Sequence, residues 1–138
     1  MPRCEFCRIV AGELPARVVF EDDNTLSFFP LKPAALGHTL VVPKKHVPDL
    51  WSLELDTAVP LAAAILSLSS AIRRALQPDG MNVINSAGKA ASQTIPHLHV
   101  HLVPRWFNDH IGNIWPPSEP WGEDVKDEVA DLIRRQVG

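Results

Sequence analysis

The 138-residue chain carries 13 Lys and Arg against 16 Asp and Glu, a formal net charge of −3, with 46% hydrophobic and 21% charged residues. This is the composition of one ordinary globular domain that can bury a core without disulfide help, and it excludes both two compact domains and a largely disordered chain. A mildly acidic chain with no basic run is not a general binder of nucleic-acid backbones, which leaves a single nucleotide as the only nucleic-acid ligand to consider.

Glu5 to Gly12 reads as a short helix, with Phe6, Ile9 and Val10 on one face and Gly12 at its end. Ala16 to Glu21 and Thr25 to Phe29 are β-branched and aromatic runs joined by Asp22-Asp23-Asn24, a composition that predicts a hairpin. Pro30 to Gly37 is a loop, and Thr39-Leu40-Val41-Val42-Pro43 a third strand stopped by its proline and by Lys44-Lys45. Asp56 to Leu76 carries a wide apolar helical face, with Pro60 expected in the first turn, Arg73 and Arg74 near the end and Pro78-Asp79-Gly80 as the stop. Its uncharged stretch, Thr57 to Ile72, is shorter than the ~20 residues of a membrane span and is interrupted by Pro60, Ser67, Ser69 and Ser70, so no membrane partner is expected. Met81 to Asn85 and His97 to Val103 are the fourth and fifth strands. The segment Trp115 to Pro120 is an extended linker, and Glu123 to Val137 a closing helix expected to pack through Val125, Val129, Leu132 and Ile133, on this chain or on a second subunit. Short strands joined by turns, with one long helix between the third and fourth, predict an α+β fold around a five-stranded antiparallel sheet. The opening MPRCEFCRIV shows no apolar signal region, and a cytoplasmic protein is expected.

The strongest chemical signal is His97-Leu98-His99-Val100-His101-Leu102-Val103. Side chains alternate across a strand, so the three imidazoles share one face, ~6.6 Å apart per step, while Leu98, Val100 and Leu102 face the core. Chance would produce such a row in about one chain in a hundred of this composition. Neutral imidazole is a nucleophile near pH 7 and imidazolium an acid, so one row can supply both. Imidazoles from one strand can also hold a catalytic Zn²⁺, and spacing alone does not separate the two readings. Cys4 and Cys7 form a Cys-x₂-Cys pair, which in a cytosolic chain suggests metal or redox use, with two buried free thiols as the plain alternative.

The His97 to Val103 segment, preceded by Gln93-Thr94-Ile95-Pro96, resembles the signature of the histidine triad (HIT) proteins, and the zinc-bearing, Hint-type nucleotide phosphoramidase branch in particular. Cys4 to Val10, Val19-Phe20-Glu21-Asp22-Asp23, Gly37 to His46 and Asn85 resemble family segments in the same order. The resemblance runs from Cys4 to about Arg105, which makes residues 4–105 the core of a single HIT domain and residues 106–138 a C-terminal extension.

The resemblance implies a homodimeric hydrolase or transferase acting at the α-phosphate of a purine nucleoside phosphoramidate or AMP adduct. His99 would be the nucleophile, forming a nucleotidyl-histidine; His97 completes the triad, His101 and His38 would contact phosphate or move protons, and Thr94 with Gln93 would lie beside the leaving group. Phe6, Ile9, Phe28, Leu31 and Leu40 align with the family's base pocket, although core packing explains each equally well, and Asn85 aligns with a polar ligand contact. Cys4, Cys7, His46 and His97 correspond to the Cys₂His₂ ligands of a closed, structural zinc centre in the zinc-bearing members. Other readings are a dinucleoside polyphosphate hydrolase, a non-catalytic nucleotide-binding regulatory module, or a zinc hydrolase that uses the triad as ligands. The chain departs from the family at Pro30, where an acidic residue usually bonds the ribose hydroxyls, and at Ser92, where glycine is common. Lys44 and Lys45 read as a solvated loop rather than a steering patch; His110, Trp106, Trp115 and Trp121 receive no role.

Overall fold

The computed structural model describes residues 4–138. In chain order it contains α1 (Glu5–Val10), β1 (Val18–Glu21), β2 (Thr25–Phe28), β3 (Thr39–Pro43), α2 (Leu55–Leu76), β4 (Gly80–Ile84), β5 (Val100–Arg105) and α3 (Glu123–Gln136). The strands form one antiparallel sheet in the order β1-β2-β3-β5-β4, the expected α+β architecture. Alternation along β3 divides the core in two. Val41 packs with Leu61, Ala64, Leu68 and Ile72 of α2, whereas Leu40 and Val42 pack with Phe6 of α1 and with Leu26 and Phe28 on the other face.

Local chemistry explains the boundaries. Asp22 Oδ1 accepts from the backbone N–H groups of Asn24 and Thr25 and from the Thr25 hydroxyl, closing the β1–β2 turn. α1 stops at Val10, where Gly12 at φ +77° donates to Ile9 and Glu13 to Arg8, a Schellman closure in which glycine meets no steric penalty. A side chain at Gly37, φ +93°, would collide with Leu76, so the glycine lets the loop before β3 close against the end of α2.

Three expectations need correction. Pro60 is the sixth residue of α2, not in its first turn, so the Asp56 carbonyl loses its usual helical partner. α2 ends at Leu76 as expected, with left-handed Gln77 as its C-cap just ahead of Pro78-Asp79-Gly80. β5 begins at Val100, not His97. In the continued register Leu98 would face Pro43, which has no N–H to give, and Leu98 instead donates to the Val47 carbonyl. Lastly, α3 buries no residue in this chain, and Val125, Val129, Leu132 and Ile133 stay exposed. Among the described residues α2 is also the one helix long and apolar enough to cross a membrane by length and composition, yet its Leu61, Ala64, Leu68 and Ile72 face is seated on the sheet.

Candidate active site and metal centre

Although the ladder starts at Val100, the alternation of the histidine row survives. Leu98, Val100 and Leu102 enter the core beneath α2, while His97 and His99 both meet Phe6 on the opposite face. The His99 and His101 rings lie 5.0 Å apart at 67°. His99 Nδ1 is 2.7 Å from the carbonyl oxygen of His97, which accepts its proton; in the neutral ring the lone pair is therefore on Nε2. His101 Nδ1 lies 2.9 Å from His38 Nε2, and the Ala34 backbone N–H donates to His38 Nδ1. Burial lowers the His38 pKa, and burial together with the neighbouring His99 and His38 charges lowers that of His101 to about 4, so both are neutral near pH 7.

His97 has a different employment. Its Nε2 donates to the Pro43 carbonyl at 2.8 Å, and its Nδ1 faces Cys4 Sγ at 3.2 Å, Cys7 Sγ at 3.5 Å and His46 Nδ1 at 3.2 Å; Cys7 Sγ and His46 Nδ1 are 3.3 Å apart. All four donor atoms lie within 4.8 Å of one another, and this is the one such cluster among the described residues. A tetrahedral zinc ion, with bonds of about 2.3 Å to sulfur and about 2.0–2.1 Å to nitrogen, needs donor-to-donor edges of about 3.3–3.8 Å. Four of the six edges, at 3.2–3.5 Å, lie at or just under the short end of that range, so the donor set suits zinc, and the His97-to-Pro43 bond is the outer hydrogen bond that fixes a ligating tautomer. With both ring nitrogens of His97 engaged here, the triad does not present three imidazoles to one catalytic metal.

Several residues assigned to substrate are engaged elsewhere. Asn85 Nδ2 donates to the His99 carbonyl at 3.0 Å, just ahead of β5. Gln93 accepts from Gly88 N–H and donates to the Pro48 and Ile95 carbonyls, pinning the loop before the triad; Thr94 is exposed beside it. Phe6, Phe28 and Leu40 are buried in one cluster with Ile9 at its edge, and Leu31 is 90% exposed, away from that cluster. Pro30 is half-buried and brings no side-chain acceptor. Lys44 pairs with Glu21 at 2.7 Å, in keeping with a charged loop.

The tail contributes an anchor that spacing did not suggest. Arg105 grips both carboxylate oxygens of Asp109, at 2.7 and 3.0 Å, and also donates to Asn82 and to the Gly112 carbonyl. That guanidinium holds the Asp109 carboxyl far below the usual carboxylate range. Trp115 and Trp121 are exposed, as is His110.

A model of the HIT domain matches residues 11–108, and the chain belongs to the HIT domain family. It is 35% identical over 135 residues to Protein hit of Bacillus subtilis, covering 97% of this chain and 91% of that one. It is 30% identical over 135 residues to adenosine 5'-monophosphoramidase hnt1 of Schizosaccharomyces pombe, covering 95% and 98%. A solved HIT family protein from Bacillus subtilis superposes with a TM-score of 0.91 at 29% identity, covering 99% of both chains. A zinc-bound histidine triad family protein from Mycobacterium smegmatis gives 0.72 at 35% identity, covering 96% of this chain and 97% of that one.

Proposed function

We propose that the chain is a nucleotide hydrolase or transferase that cleaves the α-phosphate bond of purine nucleoside phosphoramidates or AMP adducts through a nucleotidyl-histidine. The observation that carries this reading is the 2.7 Å bond from His99 Nδ1 to the His97 carbonyl, which keeps the Nε2 lone pair free beside His101. Nε2 attacks the α-phosphorus, the phosphorus–nitrogen bond breaks, and its electron pair leaves with the amine, which takes up a proton. Water then attacks phosphorus, the bond to Nε2 breaks, and the nucleoside monophosphate departs. His101, donating from Nε2, stabilises charge on the phosphoryl oxygens. The phosphoramidase name of the Schizosaccharomyces pombe relative makes adenosine the first base to test.

Zinc is the metal best matched to Cys4, Cys7, His46 and His97, and such a closed centre supplies folding energy and holds α1 to the sheet. A homodimer fits the edge position of β4, with exposed Val83, and the exposed Leu55, Val59 and Leu66 on α2. A Cys-x₂-Cys pair used as metal ligands suits a reducing compartment, consistent with the cytoplasm, and the same reading separates the catalytic core, residues 4–105, from the extension, residues 106–138.

The test is release of AMP from an adenosine phosphoramidate by the unaltered chain and by His99→Ala, with folding and zinc content followed in both. Turnover by the first and none by the folded variant supports nucleophilic catalysis. Tight AMP binding without release by either chain replaces the proposal with a nucleotide-binding module.

A further inference from the structure

Phe6 is the one buried residue of α1, and its ring is the shared wall of the two sites just described. It stands edge-on to His97, with centroids 5.9 Å apart at 71°, to His99, at 5.2 Å and 89°, and to Phe28, at 5.4 Å and 77°. Phe6 lies between Cys4 and Cys7, the two thiols of the metal cluster, and Cys4 Sγ also accepts from Cys7 N–H as the N-cap of α1. A helix of six residues has no stability of its own, so its place on the sheet depends on what Phe6 buries and on what the thiols hold.

We propose that Phe6 is a positioning residue for the His99 imidazole, and that the Cys₂His₂ cluster acts on the active site by holding Phe6 in place; this rests on the reading of His99 as the nucleophile. The His99 ring is fixed from two sides. The His97 carbonyl takes its Nδ1 proton, and the perpendicular Phe6 ring blocks the rotation that would break that bond. Both constraints lead back to the cluster, the carbonyl through ligand His97 and the ring through the first turn of α1. Without the Phe6 edge the imidazole rotates about χ2, the hydrogen bond to His97 is lost part of the time, and the lone pair no longer stays on Nε2. A displaced nucleophile lowers kcat while leaving the binding of the rest of the substrate little changed.

The experiment uses the full-length, zinc-loaded chain with Phe6→Leu, and Leu26→Ala as a control from the same cluster that does not border His99. Side-chain ¹⁵N spectra report the tautomer of His99, zinc content is measured in parallel, and AMP release gives kcat and KM. In Phe6→Leu the two His99 nitrogen shifts are expected to move toward each other, with zinc retained, kcat lower by about tenfold and KM within about twofold. Leu26→Ala keeps the single Nδ1–H signal. An unmoved His99 spectrum in Phe6→Leu overturns the proposal, as does the same shift in Leu26→Ala. If the unaltered chain releases no AMP, the spectra still decide the role of Phe6 while the proposed activity fails by itself.

Discussion

His38 Nε2 and His101 Nδ1 are 2.9 Å apart, and the proton between them belongs to His38. The Ala34 N–H occupies His38 Nδ1, so neutral His38 carries its hydrogen on Nε2 and donates it, which obliges His101 to keep its own on Nε2. Both ring nitrogens of His38 are spent in this arrangement. Of the two roles that the sequence left open for His38, phosphate contact or proton transfer, this chain of hydrogen bonds favours the second, exerted through His101.

This pair predicts a pH signature. The folded pKa of His101 is lowered to about 4 from 6.5, so between those values the unfolded chain binds more protons than the folded one. Stability is therefore whole above pH 6.5 and is lost as pH falls toward 4. Urea midpoints between pH 7 and 4.5 should fall less steeply for His101→Gln than for the unaltered chain. Parallel slopes would rule this out.

The triad should be unequal in catalysis. His99→Ala is expected to reduce AMP release by at least ~10³, and His101→Ala by about 10², because the first removes the nucleophile and the second a donor. His97→Ala should lose zinc as well as rate. Single-turnover measurements with metal analysis separate the three, and equal losses of rate, each accompanied by loss of bound metal, would favour a catalytic metal at the triad.

Removing the metal should loosen one end of the molecule. Cys7→Ser, or treatment with a chelator, is expected to lower bound zinc from about one per chain to near none and to lower the Tm. Hydrogen exchange should quicken in α1 and around His97, with the β4–β5 pairing unaffected. Unchanged protection in α1 would show that the cluster does not hold that helix.

Two serines are placed at a cost. Ser27 is fully buried and its Oγ has no hydrogen-bond partner, so Ser27→Ala should raise stability by about 1 kcal/mol. Ser92 sits at φ +71° and ψ +25°, a left-handed position, and Ser92→Gly should gain about 0.5–1 kcal/mol after glycine's greater unfolded entropy is deducted. Urea unfolding measures both, and a lower midpoint in either variant contradicts its argument.

Much of this was legible in the sequence because periodicity is a local property. The alternation His97 to Val103 revealed which side chains share a face, and the Asp22-Asp23-Asn24 turn and the α2 face were equally plain. What escaped depends on partners distant in the chain. The start of β5 is decided by Pro43 across the sheet, and the employment of Gln93 by the Pro48 carbonyl. Aromatic and aliphatic residues such as Phe6 and Phe28 look the same in sequence whether they line a pocket or fill a core. The amphipathic pattern of α3 shows that a face exists, while saying nothing about what meets it.

The cluster joins residues 93 positions apart, Cys4 to His97. Closing so long a loop restricts the unfolded ensemble much as a cross-link would. It also sets an order of assembly. α1 leaves the ribosome before the sheet, but its last ligand arrives only after β1, β2, β3, α2 and β4 have been made, so an element synthesised ahead of the others is among the last to be secured.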